Sequence, residues 1–390
     1  MPQAALRLAD ILRQYGPDYR ERHRGSLSYQ QLAVMHAVEL CRTAALGGHV
    51  EECDACGHRR ISYNSCRNRH CNQCQSLAKA QWLERRQADL LPVQYFHVVF
   101  SLPAQIAAIA YQNKKLVYAI LFRAVSNTLR SIAADPKRLG AEIGVLAVLH
   151  TWGQTLEYHP HVHCVVPGGG LAPDGQRWIS CRRRFLLPVK VLSRRFRSLF
   201  LRYLNEAFQS GELQFFTGLE ALAQPTAWLA YLQTVPRQWV VYAKPPFGGP
   251  QQVLEYLGRY THRVAISNNR LLGLEEGKVS FRWKDYRDHS RQKVMTLTVD
   301  EFIRRFLLHV LPKGFQRIRQ FGLLANPSRV AKLARCRELL AAAPPEAPPA
   351  KFTYHALERC PLCGRGHMRR IGILLPSVEE HRQTAGIDSP

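Results

Sequence analysis

Two histidines separated by one valine, His161 and His163, are the first residues whose types and spacing could support chemistry. They begin an apolar stretch, 161–167, that predicts a buried strand. Because successive side chains of a strand point to opposite faces, both imidazoles should lie on one face. Two neutral imidazoles a few ångströms apart are half of a divalent-metal site.

A metal at this pair needs at least one more ligand. His150 lies on the preceding predicted strand, and Gln154 follows just after it. Both are candidates, and the sequence does not choose between them. His97, on an earlier predicted strand, is a more distant option, and for each of these residues singly a hydrogen-bonded structural role competes.

Tyr256 and Tyr260 are four residues apart in a segment, 250–260, that predicts a short helix, so they should share a face. An aromatic contact in the core is the competing interpretation. The chemical interpretation is two phenol nucleophiles at one phosphate. A phenol has a pKa near 10, so it needs a metal that withdraws charge from the phosphate it attacks.

Cysteines are dense between residues 53 and 74, where two C-x-x-C pairs predict structural Zn²⁺. The simplest ligand set is Cys53, Cys56, Cys71 and Cys74. Cys66 and His70 lie between the pairs, so another ligand set or a second ion stays open.

A further pair, Cys360-x-x-Cys363, lies near His355 and His367 after a Pro/Ala-rich linker at 341–351. A second small zinc site and a solvated tail are equally compatible with this pattern.

The charge balance is strongly basic, with 54 Lys and Arg against 29 Asp and Glu and a formal net charge of +25. Such an excess points to a polyanion, first of all nucleic acid. No secretory signal, membrane-spanning run or basic amphipathic helix is evident, so we expect a soluble cytoplasmic protein without a membrane partner. Trp239 and Tyr242 could stack on bases, although core packing competes. The arginines that could contact DNA are Arg67, Arg69, Arg182, Arg183, Arg184, Arg194 and Arg195.

Helical and strand patterns give the elements that must position these residues. Helices are predicted at 29–46, 75–91, 105–133, 189–209, 225–234 and 299–311. Strands are predicted at 93–103, 143–152, 161–167 and 239–245, with a hairpin at 270–286 that turns near Glu276-Gly277.

Three stretches, 64–74, 150–170 and 239–268, together resemble the HUH-type, two-tyrosine transposases of bacterial insertion sequences, of the IS91 type. The resemblance implies an α+β fold with a central antiparallel sheet, flanking helices and a preceding small zinc-binding helical domain. It divides the chain into a helical and zinc-binding domain at 1–90, a catalytic domain at 91–325, and a linker with a basic tail at 326–390.

The resemblance also implies a reaction. Tyr256 or Tyr260 attacks a phosphodiester of single-stranded DNA at a transposon end, forming a 5′-phosphotyrosine, with Mg²⁺ or Mn²⁺ held by His161, His163 and a third ligand. The chain shows no G-x-x-x-x-G-K-[ST] motif, so a host helicase and replication machinery are expected to separate the strands.

Three other functions remain compatible with the sequence. A rolling-circle replication initiator or relaxase shares the H-x-H pair and the tyrosine. A zinc-bearing DNA-binding protein would use the same residues structurally, and a metal-dependent nuclease would use activated water. The last two form no covalent protein–DNA intermediate.

Overall fold

The computed structural model describes residues 6–244, 252–253, 258, 264–286, 288–342 and 358–377. The chain divides into two compact units. The first lies within Met1–Ala78, Ile266–Val310 and Ala347–Pro390, and the second within Lys79–Ala265 and Leu311–Glu346. This division differs from the predicted domains, because the hairpin region and the carboxy-terminal segment both belong with the amino-terminal part.

The first unit contains three helices and two small antiparallel sheets among its described residues. The helices are α1 (Leu8–Arg22), α2 (Tyr29–Glu39) and α8 (Val299–Leu308). One sheet has the order β13-β1-β2, from β1 (Gly48–Cys53), β2 (Arg59–Tyr63) and β13 (Met368–Leu374). The other has the order β11-β10-β9, from β9 (Leu271–Glu275), β10 (Lys278–Asp285) and β11 (Arg291–Thr298).

The second unit is built on a five-stranded antiparallel sheet of order β12-β4-β5-β3-β8, which confirms the predicted central sheet. Its strands are β3 (Tyr95–Ser101), β4 (Gly144–Trp152), β5 (Tyr158–Pro167), β8 (Val241–Lys244) and β12 (Ile318–Gly322). A two-stranded ribbon pairs β6 (Gly169–Leu171) with β7 (Trp178–Ser180). The helices are α4 (Ala104–Gln112), α5 (Lys114–Ala134), α6 (Val189–Gln209), α7 (Pro225–Thr234) and α9 (Arg329–Leu339). Helix α3 (Gln75–Gln87) begins in the first unit and continues into the second.

The two faces of the central sheet have different roles. One face carries large apolar side chains, such as Phe100, Leu149 and Val162, into the main core against α5 and α6. The opposite face carries the alternate residues of the same strands, including His161 and His163. Burial of the first face fixes which residues the second face presents, because side chains alternate along a strand.

Local sequence signals explain several element ends. The side chain of Thr298 caps α8 by accepting a hydrogen bond from the Glu301 backbone amide at 3.3 Å. This agrees with the prediction that the helix begins directly after Thr298. The predicted turn at Glu276-Gly277 is confirmed, with φ of 47° and 69°, the left-handed pair that tight hairpins use.

Two predicted elements differ from the structure for identifiable reasons. The helix predicted over 105–133 is two helices, broken at Asn113, whose side chain exchanges two 2.8 Å hydrogen bonds with the Gln214 backbone. The glycine run at 168–170, predicted as a turn, enters strand β6. A Cβ on Gly170 would lie 2.3 Å from the Glu142 carbonyl oxygen, so this close backbone approach requires glycine.

None of the helices described combines the length and apolar character needed to cross a membrane.

Candidate active site and metal centres

Three imidazoles meet on one face of the central sheet. His161 and His163 lie on β5, and His150 lies directly opposite His161 on the neighbouring strand β4. One ligating nitrogen from each of the three lies within 4.8 Å of the others. His161 and His163 thus lie on the same face of β5, as the alternation of side chains along a strand predicts. The antiparallel pairing of β4 with β5 adds a third histidine, His150, to this group.

His161 is oriented by its own strand. Its Nδ1 lies 2.6 Å from the backbone carbonyl oxygen of His159, which can only accept a hydrogen bond. The proton of a neutral His161 ring is therefore on Nδ1, and the lone pair is on Nε2. Fixing the tautomer through the second ring nitrogen is the usual way in which proteins prepare a metal-binding histidine.

His97, on β3, contacts the site from the other side of β5. Its Nε2 lies 2.8 Å from Nδ1 of His163, and the two rings are stacked with centroids 5.0 Å apart. When His163 donates from Nδ1, the lone pair of His163 is on Nε2. The sequence suggested His97 only as a distant metal ligand, whereas the structure places its Nε2 within hydrogen-bond distance of His163.

Burial keeps the His97 and His161 rings neutral. It lowers the pKa of His97 to about 3, with Lys244 and His161 adding to the effect. Burial also lowers the pKa of His161 to about 4, with His159 contributing. Neutral imidazoles bind metal and protonated ones do not, so the lowered pKa leaves His161 able to ligate at neutral pH. The three ligating nitrogens, within 4.8 Å of one another, have a spacing that fits one divalent cation.

Three further residues were predicted for this site: Gln154, Tyr256 and Tyr260. Gln154, the alternative third ligand, lies in the short loop between β4 and β5, whereas His150 belongs to the histidine group. Tyr256 and Tyr260 are outside the described residues.

Val253, together with Gln252, is described in the segment shortly before Tyr256. It is fully buried and packs with Tyr95, Leu146 and Val165. Val165 follows His163 by two residues on β5, so it lies on the histidine face of the sheet. Val253 therefore packs on the face of the sheet that carries the histidines.

A first group of four cysteines lies in the first unit and contains Cys41, Cys66, Cys71 and Cys74. Sulfur separations are 3.4 Å for Cys41–Cys74, and 3.6 Å for both Cys66–Cys74 and Cys41–Cys71. A tetrahedron with Zn–S bonds of about 2.3 Å has edges of about 3.8 Å, so the donor set fits structural Zn²⁺. His70 instead contacts Asn68 through Nδ1, at 3.1 Å.

Cys41 was missed because it stands alone, just after α2 and outside any C-x-x-C pair. Its position is set by Arg13, whose guanidinium donates hydrogen bonds to the backbone carbonyls of Glu39 and Cys41 at 2.7 and 3.0 Å. This ligand is recognisable only from the packing of α1 against α2.

A second group contains Cys53, Cys56, Cys360 and Cys363, whose sulfurs also lie within 4.8 Å of one another. The structure therefore does not group Cys53, Cys56, Cys71 and Cys74, the simplest predicted ligand set, around one position. The two C-x-x-C pairs between 53 and 74 belong to different groups, and each group is completed by cysteines from elsewhere.

The predicted DNA-binding arginines fall into two environments. Arg69 is partly buried, and burial lowers the pKa of its guanidinium. The other predicted arginines are exposed: Arg67, Arg182, Arg183, Arg184, Arg194 and Arg195. Arg182–184 lie in the loop before α6, and Arg194 and Arg195 lie on α6 itself.

The two aromatic candidates for base stacking separate clearly. Trp239 is a core residue, 4% exposed, whose ring packs edge-on against Phe196 and whose Nε1 donates to the Pro236 carbonyl at 3.1 Å. Tyr242, on the edge strand β8, is half exposed.

Comparisons with known proteins cover both units. Residues 144–331 match the family described as "Putative transposase", and residues 11–102 match "Transposase zinc-binding domain". The chain is 61% identical over 385 residues to "Putative transposase y4qJ" of Sinorhizobium fredii (strain NBRC 101917 / NGR234), with 96% of each chain covered. It is 31% identical over 352 residues to "Transposase for insertion sequence element IS801" of Pseudomonas savastanoi pv. phaseolicola, covering 87% of this chain and 83% of that one. No solved structure matches the chain.

Proposed function

Because the chain belongs to the IS91 family of transposases, we propose that it cuts and rejoins single-stranded DNA through a 5′-phosphotyrosine, in rolling-circle transposition of an insertion sequence. The observation that carries the proposal is the group of three imidazoles, His150, His161 and His163, on adjacent strands of the central sheet.

The tyrosine oxygen of Tyr256 or Tyr260 forms a bond to the scissile phosphorus, and the bond from phosphorus to the 3′ oxygen breaks. The phenol gives up its proton, and the leaving 3′ oxygen takes one to become a hydroxyl. Attack of a 3′-hydroxyl on the phosphotyrosine reverses the step. Each transfer exchanges one phosphate ester for another, so rejoining needs no ATP.

The histidines would hold Mg²⁺ or Mn²⁺, which polarises the phosphate and stabilises the charge that develops in the transition state. Nε2 of His161 is directed by the hydrogen bond that Nδ1 makes to the His159 carbonyl. His97 orients His163 in the same manner. Val253 supports the placement of the tyrosines, because it packs on the histidine face three residues before Tyr256.

DNA contacts are proposed for the exposed arginines before and on α6, and for Tyr242. Arginines would follow the phosphates of a single strand, and an exposed ring would stack on a base. A host helicase is proposed to separate the strands.

The test incubates the full chain with a labelled single-stranded oligonucleotide that carries the element end, in Mn²⁺. We expect a protein–DNA adduct that survives denaturation. Tyr256→Phe and Tyr260→Phe should each change adduct formation, and the double variant should abolish it. Tyr29→Phe, at a ring 82% exposed in the first unit, is the matched control and should keep the adduct.

The histidines are tested by a pair of neighbours on one strand. His161→Ala should abolish metal-dependent cleavage and retain salt-sensitive DNA binding. His159→Ala removes an exposed ring but keeps the carbonyl that orients His161, so it should retain cleavage. Cleavage without an adduct would indicate a nuclease that activates water, and an adduct in the double tyrosine variant would exclude both tyrosines.

A further inference from the structure

Two C-x-x-C-Gly turns from distant parts of the chain have the same backbone geometry. The Gly57 amide donates to the Cys53 carbonyl at 3.1 Å, and the Gly364 amide donates to the Cys360 carbonyl at 2.9 Å. Both glycines have left-handed backbones, with φ of 69° and 65°. A turn of this kind points two thiols toward one position, and the same design occurs twice.

The sheet β13-β1-β2 brings the two turns together. Cys53 ends β1 and pairs with Met368, the first residue of β13. The Cys53 amide donates to the His58 carbonyl at 2.9 Å, and the Cys360 amide donates to the Gly366 carbonyl at 2.7 Å, so each turn closes a short loop. Position 366 requires glycine, because a Cβ there would lie 2.5 Å from the Cys53 sulfur and would prevent the two turns from packing this closely.

The sulfur geometry fits one tetrahedral ion. Across the two turns, Cys53–Cys363 is 3.8 Å and Cys56–Cys360 is 3.7 Å. These values equal the edge of about 3.8 Å that Zn–S bonds of about 2.3 Å produce.

The surroundings stabilise thiolate charge and bury part of the group. The Ala55 amide lies 3.4 Å from the Cys53 sulfur, and the Gly366 amide lies 3.4 Å from the Cys363 sulfur. Cys53 and Cys360 are buried with Met368. Amide donors at the sulfurs lower the cost of placing four thiolates together.

We propose that Cys53, Cys56, Cys360 and Cys363 bind a second structural Zn²⁺, which closes a zinc ribbon from segments 304 residues apart in sequence. The matched zinc-binding family covers residues 11–102, so it does not include Cys360 or Cys363. The carboxy-terminal segment is thus part of the amino-terminal zinc domain. This zinc site does not depend on the proposed tyrosine chemistry, so an experiment can refute either proposal without refuting the other.

The test measures zinc per chain in the purified full-length protein by elemental analysis. Cys360→Ser/Cys363→Ser should lower zinc by one ion, and Cys53→Ser/Cys56→Ser should also lower it by one. The quadruple variant should lose one ion, not two, because all four residues share it. Cys181→Ser, a cysteine outside both groups, is the control and should lose none.

A second measurement avoids variants that fail to fold. In the unmodified protein, Cys56 is exposed, yet bound zinc should protect it and Cys363 from alkylation until a chelator removes one ion. Cys181 should react equally with and without the chelator. Unchanged zinc in Cys360→Ser/Cys363→Ser, a loss of two ions in the quadruple variant, or alkylation of Cys56 and Cys363 with zinc retained would overturn the proposal.

Discussion

Replacing His97 tests how the histidine site is oriented. His97 lies on β3, adjacent to β5, and its Nε2 is 2.8 Å from Nδ1 of His163. Its pKa of about 3 keeps it neutral in an assay near pH 7, so it adds no positive charge. When Nε2 of His163 binds a metal, the proton of that ring is on Nδ1, and Nε2 of His97 accepts the hydrogen bond. His97→Leu removes the acceptor and leaves a side chain of similar volume. His97→Gln retains an acceptor oxygen.

The size of the effect follows from the nature of the bond. A buried hydrogen bond between neutral groups contributes about 0.5–1.5 kcal/mol net. Loss of a partner that orients a metal-binding histidine typically weakens metal affinity about 10–100-fold. Because the His97 ring that makes this bond is uncharged, we expect the lower end for His97→Leu, about tenfold or ~1.4 kcal/mol. His97→Gln should stay within about threefold, or ~0.7 kcal/mol, of the unmodified chain.

The assay is a Mn²⁺ titration of single-strand cleavage, with thermal unfolding of each variant as the check on folding. The midpoint concentration should rise for His97→Leu, and saturating Mn²⁺ should restore most of the rate, because His97 positions a ligand and does not contact the substrate. A stable His97→Leu variant with a midpoint within twofold of the unmodified chain would refute the reasoning. Equal losses in the Leu and Gln variants would show that the acceptor is not the cause.

Three further predictions concern packing, charge and pH. Trp228→Ala should lower the free energy of unfolding by about 3–5 kcal/mol in urea titration, since this buried ring stacks on Phe208 at 4.6 Å. Arg182→Ala should reduce the salt dependence of single-strand binding by ~0.7 in the slope of log K against log salt, provided that this exposed side chain contacts one phosphate; an unchanged slope would remove it from the interface. Burial lowers the pKa of Lys114 to about 8. The unfolded chain therefore binds more protons between pH 8 and 10.4, and stability should rise with pH across this window. Lys114→Met should lack this rise in Tm, and an identical pH dependence of both chains would contradict the cause.

The sequence by itself determined the features that depend on neighbouring residues. Alternation along a strand placed His161 and His163 on one face, which needs only the identification of β5 as a strand. Turn and cap chemistry likewise located the turn at Glu276-Gly277 and the beginning of α8 after Thr298. The tyrosines were indicated by the family resemblance and stay a prediction.

The tertiary structure decided which residues from different segments come together. His150 joins the histidine group because the register of two antiparallel strands sets it opposite His161, and no local pattern distinguishes it from Gln154. The cysteines show the same dependence more strongly. Adjacent C-x-x-C pairs suggested one shared ion, but pairing of β1 with β13 directs Cys53 and Cys56 to Cys360 and Cys363. A metal site requires donors at fixed distances in space, and the sequence spacing of cysteines fixes distances only within a single turn. The distances between donors from different segments are set by strand pairing and helix packing between residues that are far apart in the sequence.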